Sequence, residues 1–317
     1  MIRSTLHSDT GFDRHAIDGH GAPIALRSEG DVEGIAAAGR VVAEALSAAR
    51  AACRPGIDTA AIAAVVDEVI SAAGAESTIL HAVGNPLVDA EVAPFPAVAC
   101  VSVEDVAIHG VPGARVLANG ELATIDVAVR LDGWCADAAI TVVVGEADER
   151  RRRLAKAADD LLETAIDLVR PGVRWSAVAR VMQDLAIESG YGLVEGFAGH
   201  GIGRLPHEAP ALPSHLTRGL LGRADFTIRP GMVLAIEPTL VEAGDLSGPA
   251  IRADGTGAGV PVAVDADGWS IRTLDGAVAA HVEHTVVVER SGARILTAAT
   301  DSSNTHVASP SGLAVLN

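Results

Sequence analysis

Lysine is almost missing from this chain: Lys156 is the only one, so arginine carries nearly all the positive charge. Lys and Arg total 24 against 41 Asp and Glu, and the formal net charge is -17. That balance argues against a nucleic-acid partner, which needs a basic patch to meet the phosphate backbone. Aromatic residues are scarce too, at 3% beside 49% hydrophobic residues overall, so the core must be built from Ala, Val, Ile and Leu. The three cysteines, Cys53, Cys100 and Cys135, stand far apart and form no CxxC pair. They offer no disulfide framework and fit a reducing compartment. No apolar run reaches membrane-spanning length. Met1 to Gly21 lacks the apolar centre of a signal peptide. The expectation is a soluble cytoplasmic protein with no membrane partner. At 317 residues it is long enough to bury a substantial core as one large domain or two.

What the chain does contain is an internal repeat. Arg54-Pro55-Gly56-Ile57 recurs as Arg170-Pro171-Gly172-Val173, and the Gly56–Gly74 and Gly172–Gly190 spacings are equal. Each unit reads as a helix, a Pro-Gly stop, a second helix opened by Thr59 or Ser176, and a glycine exit. The first helix should run from Ser28 to Pro55, on the spacing of Val32, Ile35, Val42 and Leu46. A charged-faced helix is expected over 149–169. β-like segments follow each unit, at 97–103 and 226–237, and Val/Ile-rich runs predict strands at 122–129, 138–144, 233–236 and 285–288. Residues 1–25 lack periodicity and read as an irregular extension. The Gly/Asp/Pro-rich stretch 242–267 reads as a surface loop, and 301–317 as a flexible tail. A duplicated α+β half with a site at the seam accounts for more of this pattern than two coincident helix-loop-helix units.

Four acidic positions stand out because each lies in or beside an apolar β-segment, where an unpaired carboxylate is costly. Asp126 is embedded in Ile125-Asp126-Val127, and Asp137 precedes the next Val-rich run. A short hairpin would bring the two together, though a turn Asp and a capping Asp would also fit. Glu237 lies in Ile236-Glu237-Pro238 and Glu283 in Val282-Glu283-His284. Between them, Gly199-His200-Gly201-Ile202-Gly203-Arg204-Leu205-Pro206-His207-Glu208 holds two histidines that can face one cavity. Phosphate cradling by these glycines is the weaker reading, since no Lys-Ser/Thr follows. One buried Glu could be a structural ion pair. Four buried carboxylates repel unless cations hold them, and a metal site is the common explanation.

In this order, with Ile108-His109-Gly110-Val111-Pro112 ahead of them, the motifs resemble the type I methionine aminopeptidases of the pita-bread metallopeptidase family. The resemblance spans roughly residues 28–299. It implies one α+β pita-bread domain over 26–300, in which pseudo-twofold α/β halves share a curved antiparallel sheet covered by helices. The implied ligands are Asp126, Asp137, His200, Glu237 and Glu283, holding two divalent metal ions (Co, Mn, Fe or Zn) that activate a water. Glu237 is the implied general base, with His109 and His207 contacting the substrate. Cys100, Phe95 and Trp269 fall where the side-chain pocket lies, though Cys100 could equally be an inert core thiol and Phe197 simple packing. The implied substrate is the N-terminus of a peptide or nascent protein, most often methionine, and the implied state is a monomer.

Four departures bear on that picture. Pro206 replaces a usual aromatic, Ala128 a usual Thr, and His281 a usual Gln, and the stretch between Glu237 and Glu283 is longer than usual. They put side-chain preference in doubt rather than chemistry. They also motivate the alternatives: an Xaa-Pro or specialised biosynthetic-pathway peptidase of the same fold, or a non-catalytic binding protein.

Overall fold

The computed structural model describes residues 15–17, 23–85, 88, 92–242 and 259–299. In the first half, β1 (His15–Ile17) pairs with β2 (Pro23–Ala25), followed by α1 (Glu29–Ala52), α2 (Thr59–Ala72), β3 (Glu76–Ser77), β4 (Cys100–Val103), β5 (Val106–Ile108), β6 (Leu122–Leu131) and β7 (Trp134–Val143). The second half runs through α3 (Glu149–Leu168), α4 (Trp175–Glu188), β8 (Tyr191–Leu193), β9 (Gly199–Gly201), β10 (Glu208–Leu212), α5 (Arg218–Leu221) and β11 (Val233–Ile236). It closes with β12 (Thr239–Glu242), β13 (Val262–Val264), β14 (Ile271–Thr273), β15 (Ala279–His281), β16 (Glu283–Val288) and β17 (Ala293–Ile295).

The duplication read from the Pro-Gly stops extends into the hydrogen bonding. Gly56 N–H donates to the Leu117 carbonyl and Leu117 N–H returns to Ile57; Gly172 N–H donates to Ile228 and Ile228 N–H returns to Val173. Both stop glycines hold positive φ, 88° and 91°, a conformation in which a side chain is strained. Further on, Gly120 N–H meets the Val144 carbonyl and Gly231 N–H meets that of Val288. Each half therefore anchors its helix pair to the entrance of a strand of the shared sheet in the same way. Each half also has its own core: Ile35, Val42, Ile62 and Val66 close over Ile125, Val127 and Val129, while Leu154, Leu161, Val178 and Met182 close over Leu234, Ile236 and Val286.

One antiparallel sheet joins the halves, in the order β10-β9-β11-β16-β7-β6-β3, with β17 on β16 and β4 on β6. The α+β fold class and the curved sheet under helices are thus as expected from sequence.

Several local expectations differ from the structure. Ser28 caps α1 with a reciprocal bond to Asp31, but α2 is capped by Asp58, one residue before Thr59. Ser176 does not open α4. The helix begins at the wholly buried Trp175, and the carboxylate of Asp225, distant in sequence, accepts from Ser176 N–H at 3.0 Å. β4 begins at Cys100 rather than 97, and β11 is confined to Val233–Ile236 because the preceding residues turn at Gly231. β7 starts at Trp134, so Asp137 lies inside the strand rather than at its opening. The 1–25 stretch holds a small hairpin, with its remaining residues mostly outside those described. Of the supposed loop 242–267, residues 243–258 lie outside the described residues, but Val262–Val264 is a strand paired with Ile271–Thr273. Its three residues are too few to register as a period. The tail 301–317 also lies outside the described residues.

Candidate metal centre

Strand alternation brings the acidic residues to one place. In the β6/β7 hairpin Asp126 pairs with Ala139 and Ala128 with Asp137, so the two carboxylates sit diagonally, two positions apart on one face. The opposite face carries Ile125, Val127 and Val129 into the core beneath α1. Glu283 then pairs with the same Ala139 from the other side. Thr285 stitches β16 to β7: Asp137 N–H donates to its hydroxyl at 3.0 Å, and the hydroxyl donates to the Asp137 carbonyl at 2.7 Å. Thr285 pairs in turn with Ala235, and Ala235 with His200. Glu237 follows the end of β11, and its distance from Ile228 equals that of Asp126 from Leu117, so the internal repeat relates Asp126 to Glu237.

His200 stands between glycines for a physical reason. A Cβ at Gly199 would run into the Ala235 carbonyl, and one at Gly201 into that of Ala209, so β9 fits between β10 and β11 only without them. The His200 Nδ1 lies 3.1 Å from the Gly201 carbonyl, which can only accept, so Nδ1 carries the proton. That leaves the Nε2 lone pair facing Glu237 Oε1 at 3.6 Å. Donor atoms of Asp137, His200 and Glu283 all lie within 4.8 Å of one another. These three are 7%, 7% and 2% exposed.

Electrostatics make the cluster untenable without a counter-charge. Burial first, then the neighbouring carboxylates, push Asp137 and Glu283 well above the usual carboxylate range, and burial raises Asp126 as well. Burial works the same way on Glu237, but the nearby imidazoles of His281, His200 and His109 together outweigh it and hold this carboxyl low. Asp137 Oδ1 and Glu283 Oε1 are buried with no hydrogen-bond partner. Orphaned acceptors of this kind, beside an imidazole with a free lone pair, fit the donor set of a divalent cation.

The folded, cation-free protein binds more protons at these three carboxyls than the unfolded chain does. Its stability therefore falls as pH rises from the unfolded carboxylate range through the raised folded values, and a bound cation removes that penalty. The rise in thermal midpoint on adding Mn²⁺ to stripped protein is thus expected to be larger at mildly alkaline than at mildly acidic pH. Scanning calorimetry measures it, and equal increments would contradict the raised carboxyls.

The cluster lies at the floor of a cavity of about 680 Å³. Every side chain singled out from sequence lines it: the four carboxylates, His109, His200 and His207, and Phe95, Cys100 and Trp269. His207 stacks obliquely on His200, ring centroids 4.2 Å apart. His109 is held with φ of 56°, a strained conformation for a side-chain-bearing residue, by flanking bonds from Gly110 N–H to Ser102 Oγ and from Val101 N–H to the Gly110 carbonyl. Burial drops its imidazole to about 4. Phe197 meets the His109 ring edge-on at 5.6 Å, so it belongs to the site rather than to packing alone. Next to Asp126, whose strand partner is Cys100, Phe95 and Trp269 pack edge to face at 5.4 Å and form an apolar chamber. Burial first, then the surrounding carboxylates, push the Cys100 thiol well up, so it is an inert wall. Trp269 is oriented by Asp267, whose carboxylate accepts from Trp269 N–H at 2.8 Å. Sequence reasoning missed Thr78, Ile79 and Val83, which also line the cavity. They come from an irregular segment, and no periodicity or motif marks them.

Residues 33–290 match the sequence pattern of metallopeptidase family M24. Methionine aminopeptidase 1 of Mycobacterium tuberculosis is 38% identical over 278 residues, 86% of this chain and 94% of that protein. Among solved structures, a methionine aminopeptidase from Thermotoga maritima superimposes with a TM-score of 0.75 at 32% identity, over 87% of this chain and 99% of the other. Prolidase from Pyrococcus furiosus gives 0.62 at 20% identity, over 86% and 65%, a likeness of fold alone. Internal duplication, the curved sheet and the buried acidic cluster agree with these matches: the chain belongs to metallopeptidase family M24 and has the pita-bread fold.

Proposed function

We propose that this protein is a methionine aminopeptidase that removes the N-terminal residue of peptides and nascent proteins. The observation that carries the reading is the convergence of four carboxylates and one imidazole in one cavity that an apolar chamber adjoins. In this reading Asp126, Asp137, His200, Glu237 and Glu283 hold two divalent cations of the Mn, Fe, Co or Zn kind. When bound, such ions supply the charge that acidifies a water and polarises a carbonyl at neutral pH.

The side chains do the rest. Glu237, held ionised among imidazoles, accepts the proton of the attacking water and passes it to the departing amine nitrogen. His109 and His207 are neutral at physiological pH and present N–H donors to the scissile carbonyl as its oxygen gains charge. Phe95, Cys100 and Trp269 receive the first side chain, and Trp269 is fixed from behind by Nε1 donating to the Ala93 carbonyl at 2.7 Å. The carboxylate-lined floor favours a free α-amine over an internal peptide segment. The three unpaired cysteines support a cytoplasmic setting, and we infer a monomer.

Pro206 lines the cavity in place of a flat ring, which favours testing residues other than methionine. The metal-loaded protein is expected to release methionine from Met-Ala-Ser at least tenfold faster (~1.4 kcal/mol in barrier) than leucine from Leu-Ala-Ser, and to leave Ala-Pro intact. Turnover confined to either of the other peptides would overturn the methionine assignment. Metal uptake without turnover on any of them would overturn the peptidase reading.

A further inference from the structure

Beneath Glu237, outside the cavity lining, lies an imidazole that the reading above does not use. His281 ends β15 and is 2% exposed. Its backbone is clamped by a threonine pair facing each other across β6 and β7. Thr141 Oγ donates to the His281 carbonyl at 2.8 Å, His281 N–H reaches Thr124 Oγ at 3.5 Å, and the two hydroxyls lie 2.8 Å apart. β12 holds it from the other side, Thr239 pairing with His281. Among the described residues neither ring nitrogen makes a hydrogen bond: both are buried without a partner, and Nε2 lies nearest to a carboxylate, 3.5 Å from Glu237 Oε2. The Glu237 carboxylate is therefore bracketed, Oε1 toward His200 and Oε2 toward His281.

We propose that His281 is a positioning residue for the metal centre: its Nε2–H donates to Glu237 Oε2 and fixes the carboxylate so that Oε1 and the His200 lone pair converge on one cation. The two imidazoles then have opposite duties. His200 keeps its proton on Nδ1, bonded to a carbonyl, and offers a lone pair. His281 keeps a proton on Nε2 and offers a donor. An imidazole fully enclosed by protein loses its hydration, and an apolar residue would fill the same space without that cost. Its place against the Glu237 carboxylate, whose other oxygen faces His200, is what the proposed bond accounts for. A carboxylate free to rotate presents its oxygens to the cavity only part of the time, and affinity for the cation falls accordingly.

This inference rests on the metal-centre reading, and the test separates the two. Full-length protein is stripped of metal and titrated calorimetrically with Mn²⁺ as wild type, His281→Gln and His281→Leu, and the absorption spectrum of each is recorded with Co²⁺. Glutamine keeps an N–H donor within reach, whereas leucine fills the space without one. The expected result is near-wild-type affinity and spectrum for His281→Gln. For His281→Leu, ~10–100-fold weaker Mn²⁺ binding and an altered Co²⁺ spectrum are expected. Wild-type affinity and spectrum in His281→Leu would overturn the proposal. So would equal loss in both variants, since a donor-independent loss means the ring acts only as packing. A wild-type protein that takes up neither ion would sink the metal-centre reading and this inference with it.

Discussion

Replacing Glu237 by alanine is expected to abolish peptide hydrolysis and to weaken divalent-metal binding in the same variant. Two losses are combined. The floor of the cavity loses one of four carboxylates, and with it part of the charge that balances the cations. The reaction also loses the group held most acidic among them, since Asp126, Asp137 and Glu283 are all raised while Glu237 alone is lowered. General-base contributions run to ~10²–10⁴-fold in rate, and loss of metal adds to that, so turnover of Met-Ala-Ser should fall by at least ~10³-fold. Glu237→Gln separates the roles: an amide oxygen can still face a cation but cannot take the proton. Gln should therefore retain more metal than Ala while remaining nearly inactive. Metal content by elemental analysis and single-turnover kinetics read the two effects. Normal turnover in Glu237→Gln would remove Glu237 from the proton path.

The site was more legible in the sequence than the fold around it, and the reason is physical. A carboxylate within or beside a Val/Ile-rich strand contradicts its surroundings, so Asp126, Glu237 and Glu283 announce themselves without any knowledge of the partner strands. The cost of burying charge is large and local, so the signal needs no context. Helix starts are different. α2 is capped by its own Asp58, which a sequence reading can find, but α4 is opened by Asp225 from across the fold. No local pattern encodes that bond. The wall of the apolar chamber escapes for the same reason. Ile79 and Val83 come from a turn-rich stretch anchored by His81 N–H to the Phe95 carbonyl, a tertiary contact with no periodic trace.

The internal repeat explains why so few elements suffice to build the centre. Each half delivers a strand whose entrance is anchored by an equivalent glycine, Gly120 or Gly231, and each places one carboxylate at the same remove from it, Asp126 or Glu237. The remaining members are not symmetric. Asp137 belongs to a tight hairpin of the first half, whereas Glu283 and His200 reach the floor on separate strands of the second. The asymmetry matters because His281 and His200 of the second half, with His109 of the first, lower Glu237, while burial keeps Asp126 raised. The two symmetry-related acids thus differ in proton affinity through their neighbours rather than through their place in the repeat.

His207→Ala should separate chemistry from metal binding in the opposite sense to Glu237→Ala. Its ring lies against His200 and faces the cavity, and the protein packed around it, together with His200, drops its imidazole to about 4. At neutral pH the ring is therefore uncharged. In the proposed mechanism it presents an N–H to an oxygen that gains charge only as the peptide bond is attacked, so its contribution should appear in the barrier rather than in metal or ground-state binding. Loss of one such donor costs ~10²–10³-fold in kcat, and His207→Ala should show that fall with wild-type metal content and little change in KM. His109 lines the same cavity, its backbone locked at φ of 56°. If both donors serve one oxygen, His109→Ala in the His207→Ala background should cost less than it does in wild type, because the oxyanion has already lost its paired geometry. Strictly multiplicative losses would mean that the two histidines hold different groups of the substrate. A His207→Ala protein that loses metal would mean this ring is a ligand rather than a donor to the substrate.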